Sequence, residues 1–188
     1  VLGKALETKG DLAGSVNALK NSVERDRNNQ QAIRALAEAQ ETAGDTAGAL
    51  ATWTKLIDVE EGLPGKVKAI PELTETHAVF AYAKIAAAAE TSKDVRIACF
   101  LKALSLTERY LKTSDVYITM ELGQTSGSTL EQKLSKVRER RAALKAVAMK
   151  CADELAVLDT SGTNYEKPLS DTFAAYEVRF DRLIGGKL

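Results

Sequence analysis

His77 is the only histidine in the chain, so histidine-centred catalysis would have to be built on it. A Ser-His-Asp or Cys-His arrangement also needs an activated nucleophile beside the ring, and no nucleophile motif is present. Cys99 and Cys151 are the two thiols; they form no CxxC unit, and with one His they are too few for a common zinc site. Both lie in apolar helical patterns and read as small buried hydrophobes. The sequence leaves a disulfide and the redox compartment open. Gly123-Gln124-Thr125-Ser126-Gly127 is Gly-containing, but no strand precedes it, no Lys follows in P-loop position, and no GxGxxG occurs. Glu60-Glu61 lies at a helix end without a matched acid-base partner. Phosphate binding is left to Lys133, Lys136, Arg138, Arg140, Arg141, Lys145 and Lys150, which make one helix basic. Glu131, Glu139 and Asp153 interleave with them, and aromatics for base stacking are absent there. A solvated face paired at i,i+4 is the better reading. No catalytic residue, cofactor or metal is expected.

Composition points the same way. The chain has 188 residues, 45% hydrophobic and 28% charged, with three Pro and 5% aromatics. That is enough for a sizeable core and leans all-α. Lys and Arg number 26, as do Asp and Glu, so the formal net charge is zero. Nucleic-acid binding, which draws on a basic excess, is not expected. No apolar run approaches the roughly 20 residues that span a bilayer, so no membrane insertion is expected. The chain begins at Val1 without a charged segment and apolar core of a leader. It reads as a fragment or processed product, which leaves the compartment open, with the cytoplasm slightly favoured.

The elements repeat. Gly10-Asp11 recurs as Gly44-Asp45, an offset of 34 residues. At that offset Leu2 pairs with Leu36, Gly3 with Ala37, Ala5 with Ala39, Ser15 with Ala49, Val16 with Leu50, Leu19 with Trp53 and Val23 with Ile57. Small residues match small ones and large apolar residues match large ones. Ile33, Leu36, Ala37 and Ala39 have helical spacing over Gln30 to Ala43. Gly44 is placed to end that helix and Asp45 to cap the next, which carries Ala49, Leu50, Trp53, Leu56 and Ile57 on one face. Gly3, Ala37 and Ala49 let helices approach closely.

These residues resemble the tetratricopeptide repeat family, whose unit is 34 residues. Leu2-Gly3, Gly10-Asp11, Ser15, Leu19 and Val23 form the first unit, and Ile33, Leu36-Ala37, Gly44-Asp45, Ala49, Trp53, Leu56 and Ile57 the second. Ser15 stands where the family nearly always has Ala, Gln40 where it often has an aromatic, and no Pro closes either unit. The resemblance covers residues 1–60. It implies an all-α, right-handed α-solenoid of antiparallel helix pairs. Val1 would fall inside a first helix, so the array is expected to extend upstream.

Residues 61–75, with Gly62, Pro64, Gly65 and Pro71, read as an insertion, a spacer loop or a binding element. Residues 76–112 read as a degenerate third pair, with helices over Thr76–Thr91 and from Val95 to about Leu111. Its register is ambiguous. Asp94 on Asp45 brings Ala98 onto Ala49, whereas Phe100 on Trp53 brings Ala103-Leu104 onto Leu56-Ile57. Residues 113–128 read as a connector, with a short helix at Asp115–Met120. Thr129 and Gln132 form a capping-box signature for a helix to Leu158. Its stripe is Leu130, Leu134, Val137, Arg141, Leu144, Ala148, Cys151, Leu155 and Leu158. A last helix from Leu169 to Ile184 presents Leu169, Phe173, Tyr176, Phe180 and Leu183. Together 129–188 suggest a C-terminal helical hairpin that caps the array. Homodimerisation through the 130–158 stripe is the alternative.

In tetratricopeptide arrays the first helix of each pair lines a concave groove that holds peptides or partner proteins. The resemblance therefore implies a non-catalytic interaction scaffold. Its candidate partner-binding residues are Lys4, Glu7 and Thr8 in the first unit, Gln31, Arg34, Glu38, Glu41 and Thr42 in the second, and Phe80, Ala83, Ala87 and Glu90 in the third. Some members clamp a terminal carboxylate with Lys and Asn. Glu38 falls where one such Asn is expected, and its charge would repel that ligand. The mixed charges suit a partner protein or peptide that is itself mixed or basic.

Overall fold

The computed structural model describes residues 6, 10–62, 77–88, 91–124 and 127–185, and every regular element among them is an α-helix. The helices are α1 (Leu12–Arg25), α2 (Gln30–Thr42), α3 (Thr46–Gly62), α4 (His77–Ala87), α5 (Lys93–Gln124), α6 (Gly127–Leu158) and α7 (Glu166–Ile184). Each packs on the next in chain order. In addition α2 touches α4, α4 touches α6, and α5 touches α7. This alternation is what a stack of helix pairs produces: first helices lie beside first helices, and second helices follow behind. The fold is an all-α, tetratricopeptide-like helical repeat.

The repeat turns form as the offset predicts. Gly10 has φ 80° and Gly44 has φ 79°, the left-handed region that favours glycine. The Asp11 carboxylate accepts from the Gly14 N–H at 2.8 Å, and Asp45 accepts from the Gly48 N–H at 2.9 Å. Each thereby satisfies a free donor of a first turn. Gly14 and Gly48 extend the same offset. A Cβ would lie 2.2 Å from Asp11 Oδ2 at Gly14 and 2.1 Å from Asp45 Oδ2 at Gly48. Behind the turns, Leu19, Val23, Ile33, Leu36, Trp53, Leu56 and Ile57 form one buried cluster, with Ala37 and Ala49 at the close approaches.

The third pair departs from the sequence reading. α4 is shorter than expected, ending at Ala87. Its junction with α3 is held by Glu60, a carboxylate only 3% exposed. Glu60 accepts from Gln30 Nε2 on α2 at 3.4 Å and from the Ala78 N–H at 3.1 Å, in the first turn of α4. Arg109 on α5 stands 3.7 Å away. A negative charge at a helix N-terminus is favourable, so Glu60 fastens the pair that follows. The register is that of Phe100 on Trp53: Phe100 and Ala103 are buried, whereas Ala98 is exposed.

The expected connector at 113–128 is a correction. α5 runs unbroken to Gln124, so the short helix at Asp115–Met120 is part of it. Tyr110, Leu111, Ser114, Asp115 and Ile118 are buried along this length and keep it helical. α6 starts at Gly127, ahead of Thr129, so Thr129 is not its cap. α7 begins at Glu166, with Pro168 in its first turn where a missing N–H costs nothing. Within the stripe of α6, all from Leu130 to Leu155 are buried, and Leu158 partly so. They pack on α5 more than on α7. A homodimer seam there would have to displace contacts the chain already makes.

Candidate partner-binding face

α2 and α4 are adjacent first helices, and their shared face gathers several of the candidate residues. Arg34 Nε donates to Glu38 Oε1 at 2.8 Å, one turn along α2. Its guanidinium carbon lies 4.1 Å from the centroid of the Phe80 ring on α4. Arg34 Nη1 lies 3.3 Å from His77 Nδ1. Arginine has no acceptor, so in this contact the guanidinium is the donor and His77 Nδ1 the acceptor. The sole histidine therefore serves α2–α4 packing, buried at 4% exposure. A turn further on, Glu41 accepts from Trp53 Nε1 at 2.9 Å and from Lys84 Nζ at 2.6 Å. Lys84 is thus a member of the face that the sequence reading missed. Its signal was the i,i+4 step from Phe80.

These contacts fix the side chains without hiding them. Arg34 is 29% exposed, Glu38 43%, Glu41 33% and Lys84 48%. Gln31 and Thr42 are exposed at the ends of the row, and Thr42 Oγ1 donates back to the Glu38 carbonyl at 3.0 Å. Ala83 is half-buried against the core, and Ala87 is exposed. Lys4, Glu7, Thr8 and Glu90 lie outside the described residues. Gln40, where the family often has an aromatic, is buried at 4% exposure. It donates to Asp45 at 3.2 Å and accepts from Thr52 at 2.7 Å, tying the turn to α3.

Other candidate chemistry resolves into packing. Burial raises the thiol of Cys99 and pushes that of Cys151 up to about 12. Both cysteines are free. Burial, and then the hydrogen bond to Glu61, raises the Tyr82 hydroxyl. Of the basic row on α6, Arg141 turns inward, donating to Asp115 at 2.6 Å and Ser114 at 2.7 Å. Arg138 lies over Phe180, and Lys145 reaches Glu177. Among the described residues no group of three His, Cys, Asp or Glu could hold a metal ion, and no helix is long and apolar enough to cross a membrane.

No family model and no curated protein matches the chain. A solved structure titled "Crystal structure of MamA" is similar over 99% of this chain and 96% of that chain, with 19% identity and a TM-score of 0.44.

Proposed function

We propose that the chain is a non-catalytic protein-interaction scaffold, holding a peptide or partner protein along the α2–α4 face, the inner groove of the repeats. One observation carries this reading: Arg34, Glu38, Glu41, Phe80 and Lys84 converge from two helices, part-exposed yet held by one another. A surface fixed before binding loses little side-chain freedom when a partner arrives. The stacked guanidinium offers a flat apolar plate, and the charges beside it alternate in sign. That combination suits a partner segment of mixed or basic charge carrying an apolar anchor. The Glu38 carboxylate at the centre disfavours a terminal carboxylate as ligand.

The test must leave the Arg34 contacts intact, because reversing Arg34 and Glu38 together would also break the stack on Phe80. Gln31→Arg and Ala87→Arg, both at exposed positions, crowd the face from either helix. A partner retained on the wild-type chain should be lost from the double variant at unchanged helicity. Equal retention would move the contact off this face.

A further inference from the structure

Three contacts hold the Arg34 guanidinium. Its Nε donates to Glu38 at 2.8 Å, its Nη1 lies 3.3 Å from His77 Nδ1, and its face lies over the Phe80 ring. Glu38 stands on α2, the helix that carries Arg34. His77 and Phe80 stand on α4. Glu38 alone would leave Arg34 on its own helix, so His77 and Phe80 are what bring it across to the second wall of the face.

Of these groups only His77 has an ordinary charge change near neutral pH, and it is the only histidine in the chain. An imidazole protonated on both nitrogens has two donors and no acceptor, and a guanidinium has donors only. Two cations would then face each other where a hydrogen bond stood. The place adds to the conflict, because His77 opens α4 and a helix N-terminus disfavours positive charge. The other charged groups around α4 are engaged. From α3, Glu60 accepts from the Ala78 N–H, with Arg109 of α5 at 3.7 Å, and Glu61 accepts from Tyr82. From α2, Glu41 holds Lys84, two turns along α4. From α6, Glu154 meets Arg96 of α5, whose Nε bonds the Ala86 carbonyl at the far end of α4. Glu75, two residues before His77 in the chain, lies outside the described residues.

We propose that His77 is a proton-operated latch on the α2–α4 face. While Nδ1 is free to accept, Arg34 lies on Phe80. When the ring is protonated on both nitrogens, the guanidinium gives way. His77 is 4% exposed in the first turn of a helix, whereas Arg34 is 29% exposed on a long stem, so Arg34 is the group that moves. It keeps Glu38 and leaves the ring. The face then loses its flat plate, and partner binding becomes weaker in acid. As regulation of binding this rests on the function proposed above. The movement of Arg34 needs no partner, so the two readings can fail separately.

The experiment is an NMR titration of the isotope-labelled chain, without a partner, between about pH 8 and about pH 5. The Arg34 side-chain protons should carry an upfield ring-current shift at the upper end and lose it at the lower. The loss should share its midpoint with the His77 ring signals. Phe80→Leu should remove the shift throughout, which assigns it to that ring. His77→Asn keeps an acceptor near the place of Nδ1 and has no proton to gain in this range, so the shift should persist in acid. Three results would each overturn the latch: a His77 ring that does not titrate in this range, an Arg34 shift that survives its protonation, or an acid loss unchanged in His77→Asn. If that variant does not fold, the agreement or disagreement of the two wild-type midpoints decides alone.

Discussion

Helices α1–α3 pack around apolar residues that recur at a fixed offset, with Trp53 at 2% exposure, and each starts at a side-chain cap, Asp11, Asn29 or Asp45. Helices α5–α7 pack along two 32-residue helices and place an ion pair inside the seam, with Arg141 and Asp115 both 7% exposed by side chain. Ser114, the Tyr176 carbonyl at 3.2 Å and Arg179 at 3.2 Å complete that cluster. Short helices joined by tight turns have their pairing fixed by the turns. Long helices can slide by a heptad at little cost in apolar contact, and a buried charge pair penalises every slipped register. The two ends thus obtain a unique alignment by different means, turn chemistry at one and buried electrostatics at the other.

The sharpest way to break the first region is Trp53→Ala. It removes the largest buried side chain and strands one oxygen of Glu41, and it should cost about 3–5 kcal/mol in urea denaturation. The second region should respond as strongly to Asp115→Ala, again about 3–5 kcal/mol, because Arg141 is left buried without its counter-ion. Replacing both, as Asp115→Leu with Arg141→Met, should recover most of that loss. Native-state hydrogen exchange of α5–α7 should nonetheless show less uniform protection, the cost of losing the register. If the double variant is as unstable as the single, the pair stabilises more than it specifies.

Smaller effects belong to the turns and to one imperfect repeat position. Gly44→Ala forces a side chain into φ 79° and should cost about 1–2 kcal/mol, read as a lowered denaturation midpoint with unchanged slope. Ser15 is fully buried, and its hydroxyl has no hydrogen-bond partner among the described residues. Its counterpart at the 34-residue offset is Ala49. Ser15→Ala should therefore raise stability, by about 1 kcal/mol, bringing the first unit closer to the second.

Where turn and apolar residues recur together, the sequence was sufficient. Gly10-Asp11 and Gly44-Asp45 gave the caps, and Leu19/Trp53 and Val23/Ile57 gave the core. The third pair was obscured because Arg96 occupies the position of Ala49 in the Phe100 register. Arg96 leaves the packing row to bond the Ala86 carbonyl at 2.9 Å and Glu154 at 3.3 Å. Helix continuity through Thr113–Gln124 was hidden by Thr, Ser and Asp residues that usually mark ends. Here the Thr113 hydroxyl donates to the Arg109 and Tyr110 carbonyls, Ser114 to Leu111, and Thr119 to Asp115, so their polar groups are satisfied within the helix. Of the candidate face, Arg34, Glu38, Glu41 and Phe80 were legible from helical spacing. Their mutual bonding was not, because it depends on how far α4 slides along α2.

Glu60 links α2, α3, α4 and α5 through hydrogen bonds and charge. The pairing of α3 with α4 therefore has contacts of its own beside the covalent connection. Residues 1–62 and 77–188, made as separate polypeptides, should find one another on mixing.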